Sequence, residues 1–123
     1  MNNHDLFNKI REGAAKAFFA DAWATQCEEA GKSSIMSGKD IMDIMPKEID
    51  SGALDSATAM MLNVGWIIID KYPYHDLSRF FEKCNGGLSP EEWGHYAAMQ
   101  SMGHGVGLWE YGVEIDLPYM SSA

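Results

Sequence analysis

Apolar residues near the start of the chain recur at spacings of three to five, at Phe7, Ile10, Ala14, Ala17, Phe18 and Trp23, while Lys9, Arg11, Glu12 and Lys16 take the other side. The pattern predicts a first helix from about Asp5, as N-cap, to Ala30, with Gly31 ending it. Residues 32–52 read as a polar, Gly-containing loop with one short apolar turn, Ile41 to Met45, stopped by Pro46. From Ala53 to Lys71 apolar residues occupy almost every side, which predicts a central helix surrounded by others. The alternative there is a buried strand, because β-branched residues dominate Val64 to Ile69. Pro73 closes the element in either case.

A shorter helix follows from His75 or Asp76 to Lys83, with Leu77, Phe80 and Phe81 inward and Asn85-Gly86-Gly87 as its C-terminal cap. Ser89-Pro90-Glu91-Glu92 is the clearest local signal. Serine at the N-cap, proline at the first helical position and glutamate at the third form a capping box. That helix carries Trp93, Tyr96 and Ala97 on one side and His95, Met99 and Met102 on a neighbouring one, and breaks at Gly103-His104-Gly105-Val106-Gly107. Beyond it, Val113 to Leu117 alternates with period two, as in a terminal hairpin or extended arm. The pattern as a whole predicts a mainly α protein, a compact bundle of four to five helices with a short extended or hairpin C-terminal arm, in one domain over residues 1–123.

Composition narrows the function. Nine Lys and Arg against 18 Asp and Glu give a formal charge of −9. That sign argues against direct binding to nucleic acid or to an anionic membrane surface, both of which need a basic face. The nearly uncharged run Ala57 to Ile69 is shorter than the roughly 20 residues that cross a bilayer. Residues 1–5 lack the basic and apolar regions of a secretory signal, and Cys27 and Cys84 make no disulfide framework, so a reducing cytosol is the expected compartment and both cysteines read as buried small hydrophobes.

Charge is also unevenly placed. From Cys84 to Ala123 there is no Lys or Arg, while Glu91, Glu92, Glu110, Glu114 and Asp116 carry five of the negative charges. Trp93, Tyr96, Trp109, Tyr111 and Tyr119 in the same stretch are residue types that anchor interfaces or fill cores.

The segment Trp93 to Glu110 contains Gly94-His95-Tyr96, a Met-rich turn, and then Gly103-His104-Gly105-Val106-Gly107-Leu108-Trp109-Glu110. It resembles small uncharacterised phage and prophage proteins, with weaker likeness at Ala14 to Phe19 and Asp40 to Asp43. The resemblance implies no activity. It implies an origin, as a mobile-element accessory protein acting in the cytoplasm of a bacterial host.

Chemical readings of the histidine–glycine segment are limited by geometry. His95 and His104 are nine residues apart, on opposite faces of an unbroken helix, although a break at Gly103 lets His104 fold back toward Asp76, Glu92 or Glu110. No closely spaced ligand pair is present, and no metal or cofactor is expected. The glycines follow a helix instead of preceding one, so they offer carbonyls and negative dipole, the reverse of a phosphate cradle. Ser101 is not in a nucleophile elbow. With no catalytic residues assigned, two hypotheses stand. The first is an inhibitor of a basic or nucleic-acid-binding host protein, such as a defence complex, that uses Glu91, Glu92, Trp109, Glu110, Tyr111, Glu114 and Asp116. The second is a small-molecule or metal pocket in which His95 and His104 share a cavity with Trp109 and Glu110. Nine methionines and the aromatic content also make a homodimer an open expectation.

Overall fold

The computed structural model describes residues 2–29, 38–72 and 76–121. The described residues form a mainly helical protein: α1 (Asn3–Glu29), α2 (Gly38–Met42), α3 (Ser51–Lys71), α4 (Leu77–Cys84) and α5 (Pro90–Ser101), with short 3-10 turns at Pro46–Glu48 and Leu108–Tyr111. No strand occurs among them. Residues 64–69 are helical, so the strand alternative falls. The arm beyond Gly112 is extended and forms no hairpin: Val113, Ile115 and Leu117 are buried, while Glu114 and Asp116 between them, and Pro118 after them, are exposed. The positions read as ending the first helix and the helix over residues 53–71, Ala30, Gly31 and Pro73, and His75, read as one possible start of the next helix, lie outside the described residues.

Helix ends follow local chemistry closely. Asp5 is not the first cap, because the Asn2 side chain accepts from the Asp5 amide at 2.8 Å and caps the helix three residues earlier. Asp50 caps α3 by accepting from the Ala53 amide at 2.8 Å, and Asp76 caps α4. Ser89 and Glu92 make the expected reciprocal capping box. At its far end α5 stops at Gly103, whose φ of +73° takes the left-handed region. Its amide bonds Gln100 O and the His104 amide bonds Met99 O, the paired bonds of a Schellman motif. Pro46 begins a 3-10 turn instead of stopping a helix there.

The packing centre is the α1–α5 pair. A Cβ built on Gly13 would stand 1.9 Å from the Glu91 carbonyl oxygen, and one built on Gly94 would stand 1.9 Å from that of Ile10. Ascending α1 therefore meets descending α5, and at each of the two points a glycine of one helix lets the backbone of the other come close. Ala14, Ala17, Ala97 and Ala98, all buried, continue this small-residue seam. Around it close Phe18, Met60, Val64, Phe80, Trp93 and Leu108, and Trp93 donates its indole N–H to Cys84 O at 2.9 Å.

Two expected faces are different in the fold. Lys16 is buried, not solvated: its Nζ donates to Met42 O at 2.8 Å, at the C-terminal end of α2, where the helix dipole favours a cation. Trp23, read as an inward position of the first helix, is 39% exposed.

The larger correction concerns α3. It is not a central helix. Ala53, Ala57, Met60, Met61, Val64 and Ile68 form its one buried stripe, whereas Leu62, Trp66 and Ile69 are 63%, 70% and 59% exposed. All 21 residues together are long and apolar enough, by length and composition, to cross a membrane. The exclusion drawn from the shorter run Ala57 to Ile69 therefore does not extend to the helix.

Candidate functional site

Between the last turns of α3 and the C-terminal arm lies a groove of about 410 Å³, lined by Ile67, Lys71, Tyr72, Gln100, Trp109, Val113, Glu114, Ile115 and Asp116. Its construction begins at Gln100 on α5. The Gln100 amide donates through Nε2 to Ile115 O at 2.7 Å and accepts through Oε1 from the Leu108 amide at 3.0 Å, fastening both the 3-10 turn and the arm to one side chain. Tyr72 ties the opposite wall, its hydroxyl donating to Glu114 O at 3.2 Å and its ring packing edge-on against Phe80 at 5.0 Å. Burial first, then Cys84 and Glu114, push the Tyr72 hydroxyl above its ordinary pKa, so it stays a neutral donor. The Met120 amide reaches Ser101 O at 2.8 Å, which carries the arm back across α5.

Three of the seven residues expected to bind a partner meet here, Trp109, Glu114 and Asp116. Trp109 leaves about half its surface in water, with its ring over Gly107, where a Cβ would stand 2.3 Å from the indole. Glu114 and Asp116 are exposed and alternate with the inward residues of the arm.

Three others gather elsewhere, at the start of α5. Tyr96 and Tyr111 stack with ring centroids 4.8 Å apart, and the Tyr96 hydroxyl is pushed up to about 12 by hydrogen bonding to Tyr111, then burial, then the charges of Tyr111, Glu92 and Glu110. Glu92 is also committed to its capping box. Glu91, the seventh, belongs to the seam, where its carbonyl lies against Gly13.

The two histidines are not brought together. His104 Nε2 lies 2.6 Å from an Asp21 carboxylate oxygen on α1, which clamps the glycine turn to that helix. It lines a small cavity of about 130 Å³ with Ala17, Ala20, Asp21, Ala24, Ile41 and Met99, and His95 has no part in that lining. His95 is only 5% exposed, and its buried Nδ1 has no hydrogen-bond partner. Burial pushes its pKa down, partly countered by Glu92, so the imidazole is neutral. Among the described residues no group of three or more His, Cys, Asp or Glu could hold a metal ion. The Cys84 thiol is half-buried and pushed up in pKa by burial, the opposite of an activated nucleophile.

A further cavity escaped the sequence pattern. About 450 Å³ lies beside α3 and is lined by Phe7, Met61, Leu62, Val64, Gly65, Trp66, Ile68, Ile69, Asp76 and Leu77. Its signal in the sequence was the all-round apolarity of α3, read there as burial.

No protein-family model matches the chain, and neither a curated protein nor a solved structure does.

Proposed function

We propose that this protein works by binding another macromolecule and that its partner is a basic, nucleic-acid-binding protein of a bacterial host, such as a defence complex whose phosphate-binding surface it occupies. The observation that carries the reading is the groove in which an exposed indole, Trp109, lies beside the exposed carboxylates of Glu114 and Asp116. A charge of −9, concentrated by the lack of any Lys or Arg after Lys83, supplies long-range attraction to a basic surface. The resemblance of Trp93 to Glu110 to phage and prophage sequences supports the setting, a mobile-element accessory protein in the host cytoplasm. The pocket alternative loses support, since its two histidines occupy separate surroundings and one of them is spent on Asp21.

The test is a pull-down with tagged protein from a bacterial lysate containing defence systems, washed at low and then high salt and read by mass spectrometry. A basic nucleic-acid-binding complex held at low salt and released at high salt is the expected result. Retention of a small molecule or metal and no protein would sink the reading.

A second reading is favoured by one observation, the exposed row Leu62, Trp66 and Ile69 on α3. Monomeric proteins rarely leave such apolar area in water, and a homodimer through this face removes it. Sedimentation of the wild-type chain over a concentration series gives a mass that rises toward twice the monomer if the face self-associates. A constant monomer mass excludes it.

A further inference from the structure

The groove beside Trp109 has more specific chemistry than negative charge. Glu114 and Asp116 are two residues apart on an extended arm whose intervening side chain, Ile115, is buried, so both carboxylates project from one edge with a repeat of roughly 6.6–6.8 Å. Neither carboxylate forms an ion pair among the described residues. Lys71 lines the same groove and closes on neither. Trp109 offers a flat ring beside them, and Gln100 and Tyr72 hold the walls in place before any ligand arrives.

We infer that this groove receives arginine side chains from an extended basic segment of the partner protein. An extended segment repeats its side chains on the same two-residue period as the carboxylates, so residues at alternate positions meet Glu114 and Asp116 in turn. Arginine fits better than lysine. Its guanidinium is planar and weakly hydrated, so it stacks on an indole and still donates in a fork to a carboxylate, whereas an ammonium is a strongly hydrated point charge. Lys71 opposes such a ligand and sets a ceiling on affinity. The inference rests on the reading of the protein as a binder of a basic partner.

The probes are capped Arg-Gly-Arg and Lys-Gly-Lys peptides titrated calorimetrically into the full chain at low salt. The arginine peptide is expected to bind saturably and several-fold more tightly than the lysine peptide. Neutralising the rim, Glu114→Gln with Asp116→Asn, should weaken it about tenfold, while the same charge change at the exposed pair Asp55→Asn with Glu82→Gln should alter it less than about twofold. Lys71→Gln should tighten it, and Lys47→Gln, an equal change of charge elsewhere, should do so much less. Equal weakening by the two neutralised pairs, equal binding of the two peptides, or no saturable binding overturns the inference. A rim-neutralised protein that still retains the basic partner in the salt-graded pull-down overturns the groove and leaves the broader reading standing. A wild-type protein that retains no basic partner removes the broader reading itself.

Discussion

In α5 a Cβ built at Gly94 stands 1.9 Å from a carbonyl oxygen of α1; in α3 one built at Gly65 meets nothing within 4 Å. Both glycines sit inside helices, where the residue costs roughly 0.5–1 kcal/mol relative to alanine. At Gly94 that cost is offset by a backbone-to-backbone contact that forms the packing centre. At Gly65 nothing in the fold offsets it, and the residues around it, Leu62, Trp66 and Ile69, are the most exposed large apolar side chains of α3. The α1–α5 seam is thus built for internal packing, and the outer face of α3 carries apolar surface that the described fold leaves in water.

The sharpest way to break the comparison is to place the same methyl group in both regions. Gly94→Ala must push α1 and α5 apart, and because the obstacle is backbone no rotamer change relieves it. The expected loss is about 3 kcal/mol, the upper range for overpacking, read as a lowered urea midpoint. A midpoint within error of wild type would mean that the helices are not in contact there.

One residue along from Gly94, His95 gives a pH-dependent test of the same helix. Its pKa is depressed in the fold by burial, from 6.5 in the unfolded chain. Above pH 6.5 both states hold a neutral imidazole and stability is fully present. As pH falls through 6.5 the unfolded chain binds a proton that the folded protein resists, so stability drops, and it levels off below the depressed folded value. Replacing the ring with an apolar side chain, His95→Leu, removes this loss and also the unpartnered Nδ1, for an expected gain of about 1 kcal/mol at pH 7. Denaturant melts at pH 7.5 and 5.5 check both effects. An unchanged acid limb in the variant would show that another group is responsible.

These contrasts also explain what could be seen in advance. Helix boundaries were legible because caps are local: Ser89 and Glu92 announce α5, and Asn85-Gly86-Gly87 the end of α4, without reference to anything distant in sequence. The alternation of Val113 to Leu117 likewise gave the extended arm. What periodicity could not give was the identity of the neighbour. An apolar stripe on every side of α3 is equally consistent with burial on every side and with a face left over, and only the position of α1 and α5 decides between them. Gly13 and Gly94 posed the same difficulty, since a glycine within a helix pattern carries no sign of the chain it will touch. For the site, the acidic and aromatic content of the last third pointed to Trp109, Glu114 and Asp116. Their separation from Tyr96, Tyr111, Glu92 and Glu110 depends on Gln100 and Tyr72, whose roles arise from contacts across the fold.

Gly65→Ala is the counterpart of the seam substitution and carries the opposite sign. With open space beside it and ordinary helical backbone, the added methyl meets no atom and lowers the entropy of the unfolded chain, so the variant should be about 0.5–1 kcal/mol more stable than wild type. A loss of stability would mean that the α3 face is covered in solution by something the added methyl disturbs, and it would shift the comparison toward a second buried seam.

Trp66→Ser gives the smallest expected change in the fold and the most direct view of that face. The indole is 70% exposed, so its removal should alter the stability of the isolated chain by no more than about 0.5 kcal/mol, the range of ordinary surface substitutions. Association should respond differently. Trp66 lies between Leu62 and Ile69 along the same exposed face, and serine there breaks the apolar row at its largest member. Sedimentation at matched concentrations separates the two effects: a wild-type mass that rises with concentration and a variant that stays monomeric assign the face to self-association. If stability instead falls by several kcal/mol while the mass stays that of a monomer, the indole is packed within its own chain, and the contrast between the α1–α5 seam and α3 loses its basis.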